Sequence, residues 1–440
     1  MRNLRKTCFA LAAVSALGIS VNATTLQEAI TSGKVSGQIR SVTVMSSYSD
    51  NTEAGPYNNA NSSAVALMLN YKTADFKGFK AEVGFQAGHS LDLEDSSAAA
   101  DAPKFYNERE NRVTQEGSNL YLANVSYATG NTEAKVGRQL ISTPLMSYSD
   151  VNPMVDTYNG LSVVNKDLSN TEIKMYVLKD WIERYSADTS ASDDAKGDDR
   201  ITHWKKPTLS LYVKNTSIES LTLEGQYLGV RDDEGNPNDA PVATNGSYKV
   251  YYGAFDYKLP VGMPLSIGSF YSAADYDSTV STGATKLLDK NDTDMYGVKL
   301  SGKIGETGFK VAYTKVGDDG DFIGNLGHVP NLFKYNGGQM FTDNFYAGQS
   351  STSLMLIPKL IPDVFTLFAI SKYSQTEQGK INTSRGADMD GAVEIMADLK
   401  YNLTKELTAR LQVAQIDFDS EKVNTDDKMT IGKLYLTYSF

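Results

Sequence analysis

The sequence predicts an all-β protein: a transmembrane antiparallel β-barrel of eighteen strands, with sixteen as the alternative count, short periplasmic turns and long external loops. Three observations carry this. The chain ends IGKLYLTYSF, placing Leu434, Leu436, Tyr438 and Phe440 at every second position with Lys433, Thr437 and Ser439 between them, the alternation of a strand with one apolar and one polar face. Segments of roughly ten such residues recur along the chain, the pattern of membrane barrels. The connections between them alternate between tight turns and long polar stretches.

The first element is a leader. MRNLRKTCFALAAVSALGISVNA opens with Arg2, Arg5 and Lys6, continues with an apolar run from Cys8 to Ile19, and closes on small residues before Thr24, the pattern of a signal peptide cut after Ala23. The run is too short to span a bilayer as a helix. Residues 1–23 are therefore expected to leave, with 24–440 remaining as a single barrel domain. Cys8 is the only cysteine, so the exported chain has neither a disulfide nor a thiolate metal site. With three basic residues lost, the formal charge falls from −11 to −14, a balance that argues against nucleic acid as a partner. No composition break, proline-rich linker or βαβ alternation marks a second domain.

The predicted strands are Val35–Tyr48, Ser63–Lys72, Phe79–Gly88, Asn119–Ala128, Thr132–Leu140, Tyr158–Lys166, Thr171–Ile182, Thr208–Thr216 and Ser220–Val230 in the first half. Tyr248–Leu259, Leu265–Ala274, Thr293–Gly302, Gly308–Val316, Ser351–Lys359, Val364–Tyr373, Ala392–Asn402, Glu406–Phe418 and Lys428–Phe440 follow. Joins such as 129–132, 167–170, 261–264, 304–307 and 403–406 are short and carry the Gly, Asn and Asp that turns use. Between them lie long polar segments, among them Leu91–Gly117, Glu183–Lys206, Gly317–Ser350 and Ser374–Gly391. A barrel sorts its connections this way, one rim tight and the other looped.

Several strands are two-faced. In GAVEIMADLKY, Val393, Ile395, Ala397, Leu399 and Tyr401 oppose Glu394, Met396, Asp398 and Lys400. A charge facing lipid at mid-bilayer costs about 2–4 kcal/mol, so such strands turn their charges inward and the interior is expected to be wet. Lys310, Lys400 and Lys433 show the clearest alternation and are lumen candidates, positioned to guide anionic or carboxylate-bearing solutes. The alternative for strand lysines and arginines is a rim position, reaching headgroups or lipopolysaccharide phosphates; the face of Arg40 is ambiguous. Acidic loops at the mouth point the other way, to a cation preference.

The closing strand must pair with the first, since no backbone group is left unsatisfied in hydrocarbon. Its end, Leu436, Tyr438 and Phe440, resembles the C-terminal signature of bacterial outer-membrane proteins, a terminal Phe behind alternate apolar residues. The resemblance implies an assembly signal read by the barrel assembly machinery, and a home among outer-membrane lipid and lipopolysaccharide.

A second resemblance lies in KVGRQLISTPLMSYSDVNPMVDTYNGLSV (135–163). Gly137-Arg138-Gln139, Thr143-Pro144-Leu145, Asp150, Pro153, Thr157 and Gly160 are similar to the core of the OprD-type porin family of bacterial outer membranes, especially epsilonproteobacterial members. In that family this segment leaves a strand and folds inward as the third external loop, which implies a constriction here over about 141–157 and a monomer or homotrimer. The residues themselves allow it: Pro144 and Pro153 interrupt ladder pairing, and Arg138, Asp150 and Asp156 would set opposite charges across a narrow point. An outward polar loop with solvated carboxylates is the other reading of the same residues.

Catalysis finds little footing. His89, His203 and His328 are the only histidines, none with a nucleophile or carboxylate at a motif spacing, and acidic runs such as 289–294 lack the Gly and distant Glu of a calcium loop. The expected function is an outer-membrane porin for passive diffusion of small hydrophilic solutes, needing no cofactor. A channel selective for acids, peptides or sugars, or a barrel serving mainly as adhesin or envelope anchor, is the alternative.

Overall fold

The computed structural model describes residues 23–48, 60–91, 117–148, 151–182, 201–231, 247–276, 292–322, 345–382, 390–418 and 428–440. Residues 1–22 of the leader, and Asp150, lie outside these residues. Eighteen antiparallel strands form one sheet that closes on itself: β1 Lys34–Tyr48, β2 Ala60–Lys72, β3 Phe79–Ser90, β4 Gly117–Thr129, β5 Thr132–Gln139, β6 Thr157–Asn165, β7 Thr171–Ile182, β8 Ile201–Asn215, β9 Leu221–Val230, β10 Tyr248–Lys258, β11 Leu265–Tyr276, β12 Thr293–Ile304, β13 Thr307–Val316, β14 Gln349–Ile357, β15 Val364–Gln375, β16 Val393–Asn402, β17 Leu407–Asp417 and β18 Lys428–Ser439. Each pairs with its neighbours in sequence, and β1 also pairs with β18 from Gln38↔Ser439 to Tyr48↔Met429. The strand count settles at eighteen. Among the described residues two helices of six residues accompany the barrel, α1 Leu26–Thr31 and α2 Glu377–Asn382.

Closure explains the apolar end of the chain. Gly37 N–H donates to the Phe440 carbonyl at 2.9 Å and Phe440 N–H donates back at 3.0 Å. The Phe440 ring lies over Gly37, where an added Cβ would meet the ring at 2.6 Å. Phe440, Tyr438 and Leu436 point outward and are exposed, while Lys433, Tyr435 and Thr437 take the inner face.

The outer wall is apolar between two aromatic levels. Near the tight-turn rim, Phe79 stacks obliquely on Tyr127 at 4.6 Å and Tyr438 lies 6.2 Å from Phe440. Toward the looped rim, Tyr227 pairs with Tyr251 at 5.5 Å and Tyr296 with Tyr313 at 6.2 Å. Amphipathic rings at both levels match the two interfaces of a membrane. Among the described residues no helix is long and apolar enough to cross one; the strands do the crossing. At the tight-turn rim, α1 is capped by Thr25, whose hydroxyl accepts from Glu28 N–H at 3.1 Å, and docks on the β2–β3 turn where Ala74 N–H donates to the Ala29 carbonyl at 2.9 Å.

Two expectations need revision. The stretch assigned to a loop before residue 208 is partly strand: β8 begins at Ile201, with His203 opposite Asp180 and Thr208 opposite Leu178. Residues 204–207 bulge out of that ladder, and Pro207, which has no N–H to contribute, is why the break hid the strand. The interior, moreover, is not uniformly wet. Toward the loops, the inward faces carry Leu178, Leu228, Val250, Phe270, Met295 and Val316, all buried in one cluster, and Met396, Ala414, Ile416 and Met429 in another. These faces are covered, and apart from buried Glu394 the inward charge gathers toward the tight turns: Glu172, Lys174, Asp256, Lys299, Lys310, Lys400 and Arg410.

Candidate functional site

A glycine stands two residues before the end of β5. Gly137 has φ +116°, a region closed to other residues, and a Cβ there would lie 2.1 Å from the Ala123 carbonyl oxygen. Gln139 then turns inward, where its amide donates to the Gly160 carbonyl at 3.1 Å and its carbonyl accepts from Ser162 Oγ at 2.6 Å. The next residues fold into a small hairpin: Tyr148 N–H donates to the Ile141 carbonyl at 2.9 Å, and Met146 N–H to Thr143 Oγ1 at 3.1 Å.

The hairpin is pinned to β9. Gln226 Oε1 accepts from Leu145 N–H at 3.0 Å, and its Nε2 donates to Thr143 Oγ1 at 2.8 Å and Ser210 Oγ at 3.0 Å. Ile141, Leu145 and Met146 pack into the cluster that holds Tyr158, Trp181, Trp204 and Leu228. The far end reaches the opposite wall. Arg40 of β1, buried to 2% exposure, donates from Nη1 to the Asn152 carbonyl at 3.1 Å. On β3, Gln86 grips Val155 from both sides, donating to its carbonyl at 3.0 Å and accepting its N–H at 3.1 Å. Val155 packs with Met68, Tyr121 and Leu122.

Strands β1 and β9 are eight places apart in a ring of eighteen. A segment tied to both must cross the interior. Gln86 does what a neighbouring strand would do, supplying one donor and one acceptor to a backbone that has left the ladder, while Gln226 supplies one acceptor to that backbone and a donor to the Thr143 hydroxyl.

The sequence-derived residues fall in different places. Lys310 shares the face of buried Ala312 and Thr314, Lys400 that of Asp398, and Lys433 that of Ile431 and Tyr435; all three are inward. Arg410, beside Lys400, holds Asp398 with two bonds of 2.9 and 2.6 Å. Asp156, at the end of the crossing segment, is fully buried. Arg138 departs from its expected place. It shares the outward face of exposed Val136 and Leu140, lies opposite Ala123 and Asn159, and donates to the Leu120 carbonyl at 2.7 Å. Strand alternation, with Gln139 pointing in, forces it out.

Sequence reasoning missed Gln86 and Gln226, and left Arg40 undecided. Nothing local distinguishes these side chains from other polar residues of a wet wall; their partners are 69, 81 and 112 residues away. It also missed a partner for His203, whose Nδ1 lies 2.6 Å from Asp180 Oδ1. That pair sits on the outer face beside Asn159, which donates to Asp180 at 2.6 Å.

Comparison with known proteins agrees with this architecture. Residues 30–349 match the model of the family described as outer membrane porin, OprD family. Among solved structures, Pseudomonas aeruginosa OccK9 (OpdG) is similar with TM-score 0.69 and 15% identity, over 94% of this chain and 99% of that one. Acinetobacter baumannii OccAB1 gives 0.68 and 10%, over 94% and 98%. Pseudomonas aeruginosa OccK2 (OpdF), solved in complex with glucuronate, gives 0.66 and 13%, over 94% and 99%. No curated protein sequence matches the chain. With a family match over most of its length and a closed eighteen-stranded wall, the chain belongs to the OprD family of outer-membrane porins, channels for small solutes and not enzymes.

Proposed function

We propose that residues 141–157 are the constriction of this porin and that its lumen favours small hydrophilic solutes bearing a carboxylate or another anionic group. The crossing segment supports the first part: it is held by Gln226 on one side and by Arg40 and Gln86 on the other, so every solute must pass beside it. The distribution of inward charge supports the second. On β12, β13 and β16 to β18 the inward positions hold Lys303, Lys310, Lys400 and Lys433, besides Lys299, paired with Asp256 of β10 at 2.7 Å, and Arg410, paired with Asp398. The inward carboxylates of those strands, Glu394 and Asp398, are both buried and engaged, Glu394 by the Tyr373 hydroxyl at 2.9 Å. The acidic balance of the whole chain resides largely in loops and does not describe the passage. A relative of this fold binds glucuronate, a sugar acid that fits such a lining. Leu436, Tyr438 and Phe440, outward and at the closing seam, are suited to act as the assembly signal.

The test is single-channel recording of the refolded exported chain in a planar bilayer, beside a variant lacking Ser142–Asp156 and a Lys310→Gln, Lys400→Gln, Lys433→Gln triple variant. Larger steps in the deletion and a reversal potential moving toward cations in the triple variant are the expected results. Equal conductance in the deletion sinks the constriction; a cation preference already present in the unaltered chain sinks the anionic lining. An intact barrel without conductance would turn the reading to an adhesin or envelope anchor.

A further inference from the structure

Strands β14 and β15 contain a single charged residue, Lys372. Its position on the wall is unexpected for a lysine. It lies opposite Thr352 on β14 and Val393 on β16, on the same outward face as exposed Ile370, Leu354 and Phe368. It is itself exposed and makes no ion pair with a described residue. A lysine facing lipid is costly at mid-bilayer and nearly free at the interface, so Lys372 marks where hydrocarbon ends.

The register shows what surrounds it. Reading across β13, β14 and β15, the outward rows are Phe309, Leu356, Phe368, then Val311, Leu354, Ile370, then Tyr313, Thr352, Lys372, then Lys315, Ser350, Ser374. Two apolar rows give way at one step to two rows of hydroxyls and ammonium groups. Lys315 is partly engaged, donating to the Gly348 carbonyl at 3.0 Å and to Asp318 at 3.4 Å; Lys372 makes no such pair among the described residues. Hydroxyl donors flanking an exposed ammonium, at the level of an aromatic belt and at the looped end, present the complement of a phosphate ester anchored in the outer leaflet.

We propose that this face of β13–β15 binds the phosphate groups of lipopolysaccharide, with Lys372 as the central contact, Thr352, Ser350 and Ser374 as hydrogen-bond donors, and Val311, Leu354 and Ile370 against the acyl chains. The inference is separate from the conductance reading, since no residue in it faces the lumen.

The test uses the refolded full exported chain in neutral detergent, titrated with intact lipopolysaccharide and with the same material after enzymatic dephosphorylation, and read by native mass spectrometry. The unaltered protein should prefer the intact form. Lys372→Gln should weaken that binding about fivefold without affecting the dephosphorylated form, and Lys359→Gln, in the turn at the other rim, should leave both unchanged. Equal binding of the two forms by the unaltered protein overturns the proposal, as does full retention in Lys372→Gln or equal competition by phosphatidylglycerol. The comparison on unaltered protein holds even if the variant does not fold.

Discussion

Truncating Gln86 to alanine should loosen one arm of the constriction without unfolding the barrel. Gln86 is buried and makes the two bonds that hold Val155, its amide donating at 3.0 Å and its carbonyl accepting at 3.1 Å. Removing it strands a buried N–H and a buried carbonyl, each costing about 1–3 kcal/mol. Allowing for water entering the gap, the docked arm loses about 2–4 kcal/mol, which shifts its docking equilibrium roughly 30- to 700-fold at 1.4 kcal/mol per decade. The hairpin at the other end keeps Gln226 and its apolar contacts, so only the arm around 151–156 is freed. Single-channel traces should then show larger steps, or flicker between the original and a larger conductance. Tryptophan emission supplies an internal control, because the chain's only two tryptophans, Trp181 and Trp204, lie under the hairpin end. Emission should stay constant in Gln86→Ala and change in Gln226→Ala. A properly folded, heat-modifiable Gln86→Ala barrel with unaltered step size and unaltered noise would refute the reasoning.

Three further outcomes follow from the same geometry. Gly137→Val places a branched side chain at φ +116° against the Ala123 carbonyl; a cost of about 3 kcal/mol or more is expected, seen as a lower urea midpoint of the barrel-specific gel shift. Deleting Phe440 removes two backbone bonds to Gly37 and the ring that covers it, so folding into liposomes should slow and the β1–β18 seam should exchange amide hydrogens faster. In the β6–β7 turn, Asp167 is held below the usual carboxylate range by hydrogen bonds, first from Thr132 and then from Asn165 and the Asn131 N–H. A depressed folded value means its contribution is present above the ordinary carboxylate range and is lost as pH falls through the lowered one; carboxyl NMR of Asp167 should show that lowered midpoint, and Thr132→Val should raise it.

Much of this protein was legible in one dimension. Alternation with period two is a local property, so each strand announced itself, and the outer face had to be apolar because lipid surrounds it; the terminal run to Phe440 and the inward lysines 310, 400 and 433 follow from that alone. The eighteen strands came from counting such runs, and the tight rim from Gly, Asn and Asp between them. Two places failed for identifiable reasons. Pro207 interrupts the pattern of β8, and only pairing with β7 shows that residues 201–203, before the break, already belong to the strand. Arg138 read as a pore charge because a lone arginine beside a break carries no mark of its face; the register with Ala123 and Asn159 turns it outward.

What the tertiary structure decided is the interior. A segment with two prolines and a polar centre is compatible with an outward loop, and it becomes a crossing element only because Gln226 waits on β9 and Arg40 and Gln86 on β1 and β3. Those partners are scores of residues away, and hydrogen bonds at such separations leave no trace in local composition. The covered apolar half and the charged half of the lumen arise in the same way: alternation says that a residue points inward, and only closure of the sheet says what meets it there.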